Sequence, residues 1–269
     1  MKLKYACAFL TICLFVGTLF ISKDGKQLDT HTIGSYTVLT SCFPAYALTE
    51  AVIRDVPGLS LHMLTLPRQE GYDEYELSEW ETAYAQSADI YVCFGMGYEG
   101  YDTSCLREDC IIITLLAKED MYSKNEIMPT EADNNDAETD IYEIYLSVDG
   151  SKRLLAKLSE AFKNTDPQYA AIYAQNHTSA VTQLECIACQ GSACRNAIIV
   201  YPCFAYMIKD AEIDDGLVLF SDDKTDRPED ATDLRDRMDN MLDYDETFSF
   251  DDYVNVLMDN YTLLYEAVK

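Results

Sequence analysis

The sequence predicts an α/β fold of two βα lobes joined by a long helix, with the second lobe reduced. Short apolar runs of strand length alternate with amphipathic helical segments from residue 36 onward. Such alternation argues for parallel βαβ units. It stops for two successive helices between residues 151 and 184 and resumes at 197. After the strand at 197–201 there is room for about one strand and one weak helix before the final helix. The expected division is 1–22 anchor, 23–34 linker, 35–148 first lobe, 149–190 connecting helices and 191–269 second lobe.

The elements follow in order. Met1 to Lys4 is basic and 5–22 is uncharged and mostly apolar, the pattern of an export signal. At about 18 residues the run is long for a cleaved signal and marginal for a span, and no small-residue cleavage site follows. An uncleaved anchor is favoured over cleavage, or over lipidation at Cys13, where Ile12 occupies the position that should be small. The basic flank then stays inside and the remainder lies outside the cytoplasm.

Residues 36–41 form a β-branched strand, and Pro44 opens a helix with Leu48, Ala51 and Val52 on one face. Residues 59–65 read as a strand, and Ser78-Glu79-Trp80-Glu81 is a capping box that starts a helix. Two apolar runs, 89–94 and 110–115, are further strands, and the acidic stretch 119–140 is a surface loop without histidine. A helix over 151–163 carries Leu154, Leu155, Leu158 and Phe162 on one stripe. Asp166 as N-cap and Pro167 at the first helical position start the next, which runs to about Leu184. Strands at 197–201 and 217–220 precede an acidic, weakly helical stretch at 227–244. Residues 250–269 close the chain as an amphipathic helix on Val254, Leu257, Tyr261, Leu264 and Val268.

Composition narrows the function. The net charge of -27 repels phosphate backbones and excludes nucleic acid as a partner. The field also gathers cations, although diffuse charge does not make a site. The three histidines, His31, His62 and His177, fall in no ligand or triad pattern, so no catalytic base is in view. Eight cysteines follow the apolar run, and an even number in an exported chain reads first as disulfides. Cys186, Cys189 and Cys194, with Cys203 nearby, suit a disulfide loop better than a thiolate zinc site or a redox pair.

Residues 64–100, LTLPRQEGYDEYELSEWETAYAQSADIYVCFGMGYEG, resemble the first lobe of the zinc/manganese ABC-transporter substrate-binding proteins, solute-binding family 9. The family's H-x-Y-E-P is matched by Asp73-Glu74-Tyr75-Glu76-Leu77, and its later A-D…G…E signature by Ala88, Asp89, Gly95 and Glu99. H-V-W-L-S-P is matched by Glu143-Ile144-Tyr145-Leu146-Ser147-Val148, and F-H-D-A-F-G-Y by Val200-Tyr201-Pro202-Cys203-Phe204-Ala205-Tyr206.

The resemblance implies a metal ion held between two lobes that a rigid helix ties together. It implies ligand positions at Asp73, Glu143 and Tyr201, and a carboxylate after a late strand at Asp222. Every imidazole of the family pattern is replaced. Three carboxylates suit Mn²⁺, Ca²⁺ or Mg²⁺ better than Zn²⁺. Tyr201 would serve only as a phenolate, in a ferric site, because the neutral phenol is a poor ligand. The implied protein is a monomeric, membrane-anchored, extracytoplasmic carrier with no enzymatic activity, handing its cargo to an ABC permease. Two rivals remain: a surface interaction protein on the same fold that binds no metal, and a thiol oxidoreductase resting on the CxxC pair.

Overall fold

Strand β1 (Tyr36–Thr40) lies inside a four-stranded parallel sheet of order β2-β1-β3-β4, with β2 (Leu59–Met63), β3 (Ile90–Cys93) and β4 (Ile111–Thr114). The computed structural model describes residues 36–64, 76–95, 98–99, 103–117, 144–187, 197–213, 218–221, 231–241 and 243–268. Successive side chains of a strand point to opposite faces, and β1 and β3 obey this. Val38, Ile90 and Val92 enter the main hydrophobic cluster, whereas Leu39, Tyr91 and Cys93 enter a smaller one with Ala85 and Ala88. Both faces are therefore covered, as a parallel sheet requires.

Helix α1 (Phe43–Ile53) packs on the main face and is apolar nearly all round. Sequence periodicity gave it one face; in the folded chain three further helices crowd it, so Phe43, Ala45 and Ala47 are buried too. The capping box forms at the start of α2 (Glu79–Ala85): Glu81 N–H donates to Ser78 Oγ at 3.4 Å and Ser78 N–H to Glu81 Oε2 at 2.8 Å.

Helices α3 (Val148–Thr165) and α4 (Ala170–Glu185) pack against each other and against α1. Asn176 of α4 donates to the carbonyls of Val52 (3.0 Å) and Arg54 (2.7 Å), satisfying groups that the end of α1 leaves unpaired. One expectation fails here. Asp166 makes no side-chain cap, and a 3₁₀ turn (Pro167–Tyr169) precedes α4. The carboxylate instead accepts from the buried Tyr173 hydroxyl at 3.2 Å.

The second sheet has three parallel strands in the order β6-β5-β7, with β5 (Ile198–Val200) in the centre, β6 (Val218–Phe220) and β7 (Thr232–Asp233). A short helix, α5 (Ala205–Asp210), follows β5, and α6 (Phe250–Val268) closes the chain. Its buried stripe is Phe250, Tyr253, Leu257, Tyr261, Leu264 and Val268. One apolar cluster runs from β1 through α3 and α6 to β5, so packing is continuous between the sheets.

The weak helix expected over 227–244 is not there among the described residues; β7 and a series of turns take its place. Thr232 and Leu234 donate to the carbonyls of Ala197 and Ile199, completing the β5 edge. Aspartates then take the backbone amides that a helix would need, Asp233 from Arg235 at 3.1 Å and Asp239 from Met241 at 2.7 Å. Met241 has φ 62°, which interrupts any helix.

Candidate metal site

Of the four residues expected at the site, Tyr201 is described; Asp73, Glu143 and Asp222 lie outside the described residues. What the structure gives for those three is the framework from which they depart. Leu64 leaves β2 buried, its amide on the Thr40 carbonyl at 2.8 Å, and the Asp73 segment follows. Ser221 leaves β6 with its amide on the Val200 carbonyl at 3.1 Å, and Asp222 is next. These departures are carboxyl ends of parallel strands, where α/β folds bind ligands.

The turn after Glu143 is firmly held. Ile144, Tyr145 and Leu146 form a fully buried 3₁₀ turn. The Tyr145 carbonyl accepts from the Tyr253 hydroxyl of α6 and from Ser151 Oγ at 3.1 Å. Ser147 caps α3 through the Gly150 amide at 3.0 Å, and the next amide, Val148, donates to Tyr261 Oη at 3.3 Å. Gly150 has no room for a side chain, since a Cβ would lie 2.0 Å from the Ile144 carbonyl oxygen. Asp210, at the end of α5, accepts from the Asp149 amide at 2.9 Å. Its carboxyl pKa is raised, chiefly by burial. On the other side the Tyr145 ring meets Phe94 and Tyr98, and the two hydroxyls bond at 3.2 Å.

The later signature, Ala88, Asp89, Gly95 and Glu99, builds a frame. Asp89 accepts the Thr37 amide at 2.7 Å and Arg107 Nη2 at 3.0 Å. Glu99 is buried and accepts the amides of Phe94 (2.6 Å) and Gly95 (2.9 Å). Burial raises its pKa although those bonds pull the other way. Gly95 has φ 77°, and a Cβ there would stand 2.4 Å from Thr114 Cγ2, so glycine is required twice over.

Tyr201 directly follows β5, half-buried, and its hydroxyl donates to Asp236 Oδ1 at 3.4 Å. Next to it lies a group the sequence reading missed. Arg235 places Nε 3.0 Å from Asp233 Oδ1 and Nη2 2.9 Å from Asp233 Oδ2. An ion pair two residues apart suits extended or turn backbone and not a helix. That spacing in Asp233-Leu234-Arg235-Asp236 was the available signal.

Of the cysteines, Cys186 is an exposed thiol donating to the Thr182 carbonyl at 3.4 Å. Cys203 is half-buried in the 3₁₀ turn Pro202–Phe204, and Cys189 and Cys194 lie outside the described residues. His62 sits on β2 with Nδ1 4.0 Å from Glu246 Oε2. His177 is on α4, its pKa lowered by burial and then by Lys163. His31 lies outside the described residues. Among the described residues no three His, Cys, Asp or Glu side chains converge well enough to hold a metal ion.

Mixed α/β architecture with two parallel sheets is the architecture of substrate-binding proteins of known structure. The chain belongs to the family of zinc-uptake complex component A, periplasmic (ZnuA), whose pattern matches residues 38–240. No curated protein sequence matches it. Among solved structures, the substrate-binding protein FpvC of P. aeruginosa in complex with Ni²⁺ is similar at TM-score 0.64 and 13% identity, over 87% of this chain and 96% of that one. The Zn(II)-bound AdcAII E280Q variant of Streptococcus pneumoniae is similar at TM-score 0.61 and 14% identity, over 88% and 100%. A Mn-bound periplasmic metal-binding protein of Candidatus Liberibacter asiaticus gives TM-score 0.51 and 17% identity, over 72% and 71%. At such identities the likeness concerns the fold. The family is one of metal-binding transport proteins, not of enzymes.

Proposed function

We propose that this protein captures a metal ion outside the cytoplasm and delivers it to the permease of an ABC transporter. The observation that carries the reading is the family match across 38–240, joined to a fold shared with metal-bound proteins, one of them periplasmic. In this reading the protein is a monomer, anchored by residues 5–22. The cargo sits between the two sheets, on Asp73 and Glu143 from one side and Asp222 from the other. Carboxylate oxygens favour Mn²⁺, Mg²⁺ or Ca²⁺ over Zn²⁺.

The buried, bonded turn beside Glu143 supports a preformed first-lobe half of the site, so that little ordering accompanies capture. Elemental analysis of the purified protein and titration with Mn²⁺ test this. Asp73→Ala and Glu143→Ala should each abolish stoichiometric binding, and Asp133→Ala, in the acidic loop, should leave it intact. Equal weak binding of many divalent ions by wild type and Asp73→Ala would refute the reading and leave an interaction protein on the same fold.

A further inference from the structure

The carboxyl end of the second sheet carries a cation of its own. Arg235 is, among the described residues, the one basic side chain that is fully buried, with 1% of it exposed. It lies two residues beyond Asp233, the last residue of β7, and grips that carboxylate with two parallel bonds of 3.0 and 2.9 Å. Its Nη1 donates to the Ser221 carbonyl, at the end of β6, at 3.4 Å. Because the strand order is β6-β5-β7, a guanidinium joining β7 to β6 passes over the end of β5, where Tyr201 sits. Tyr201 and Asp236 bond to each other beside it.

On the reading that the cleft takes a metal cation, we infer that Arg235 sets the charge of its second-lobe wall and withholds Asp233 from the cargo. A carboxylate gripped at both oxygens by a guanidinium presents no free donor pair to a metal. The guanidinium also offsets the charge of Asp233, so the pair offers a dication approaching the ends of β5 and β6 no net attraction. The cargo is then held by fewer donors, and less tightly, than the many aspartates of this region suggest. Arg235 is a specificity-determining residue that need not touch the ion.

The test compares Mn²⁺ affinity of the full chain, purified in detergent, by isothermal titration, with circular dichroism to verify folding. Arg235→Gln removes the charge and frees Asp233, and should tighten binding at least tenfold. Arg235→Lys keeps the charge but loses the two-bond grip, and should fall between wild type and Arg235→Gln. The gain should vanish in Arg235→Gln combined with Asp233→Asn. Folded Arg235→Gln with wild-type or weaker affinity, or a gain that survives in the double variant, overturns the inference. Should Arg235→Gln fail to fold, Asp233→Asn decides: removing the carboxylate that offsets the guanidinium should weaken binding at least tenfold, and unchanged affinity overturns the inference. Wild type that binds no more than Asp73→Ala would instead sink the metal-capture reading. Even then, a Mn²⁺ site that appears in Arg235→Gln and depends on Asp233 supports the role of Arg235, and its absence refutes it.

Discussion

Gly150→Ala sets two known effects against each other. In a helix, alanine is better than glycine by about 1 kcal/mol, so propensity alone stabilises the variant. The site opposes this. The new Cβ would stand 2.0 Å from the Ile144 carbonyl oxygen, 2.6 Å from Ile144 Cγ1 and 2.6 Å from Ser147 Oγ. Relieving the first contact takes a shift of an ångström or more, and the atom that must move is backbone. That backbone is tied on its other side by Tyr253, Ser151 and Tyr261. Overpacking of this kind costs roughly 1–3 kcal/mol, and displacing the Ser147 cap about 1 kcal/mol more.

After subtracting the propensity gain, the expected loss is about 2 kcal/mol, a fall in midpoint of roughly 4–8 °C for a chain of this size. Urea unfolding reads it as a lower midpoint at unchanged slope, followed by far-ultraviolet circular dichroism and by the fluorescence of Trp80, the single tryptophan. Weaker Mn²⁺ binding should accompany it, since the displaced turn continues directly from Glu143. A variant as stable as wild type, or more stable by the propensity difference, would refute the account of this turn.

Two further outcomes follow from the same geometry, and a third from the cysteine spacing of the sequence. Tyr253→Phe removes a buried hydroxyl bonded to the Tyr145 carbonyl and Ser151, and should cost about 1–3 kcal/mol in urea unfolding. Asp210 and Glu99 both have carboxyl pKa values raised chiefly by burial, so the stability they lend is complete below their ordinary values and is lost as pH rises through the raised ones. The thermal midpoint should therefore rise as the pH is lowered from neutral toward the ordinary carboxylate range, and Asp210→Asn should flatten that rise. At lower pH the sign reverses for Asp252, held below its usual value by bonds from Ser249, and stability should fall. Cys186, Cys189, Cys194 and Cys203 are expected to pair in the exported protein; mass spectrometry finding all four alkylated without reduction would contradict it.

Much of the fold could be read from residues, for reasons that differ by element. Apolar runs such as Ile90–Cys93 and Ile198–Val200 stand out because parallel strands are covered on both faces. The Ser78–Glu81 box stands out because both of its bonds are local. Strand β7 was illegible: two residues, Thr232 and Asp233, pair with β5 only because the β5 edge needs partners, and nothing local requires it. Asp166 misled for the same reason, since a buried phenol seven residues on outbid its own helix end. Of the site, the motif positions were visible by resemblance. The frame role of Glu99 and the presence of Arg235 beside Tyr201 depend on contacts that close only in the folded chain.

The last helix is joined to the first half of the chain across very long separations. Phe250 N–H donates to Glu50 across 200 residues, Val148 N–H to the Tyr261 hydroxyl across 113, and the Tyr253 hydroxyl to the Tyr145 carbonyl across 108. Such contacts raise the contact order and delay folding, because the loops they close must lose their freedom first. A nascent chain that has exposed everything up to residue 249 still lacks the groups that lock residues 144–148. The turn beside Glu143 is therefore set only after residues 250–261 have been made. The order of synthesis and the order of assembly are thus reversed, with the end of the chain acting as the fastener of its middle.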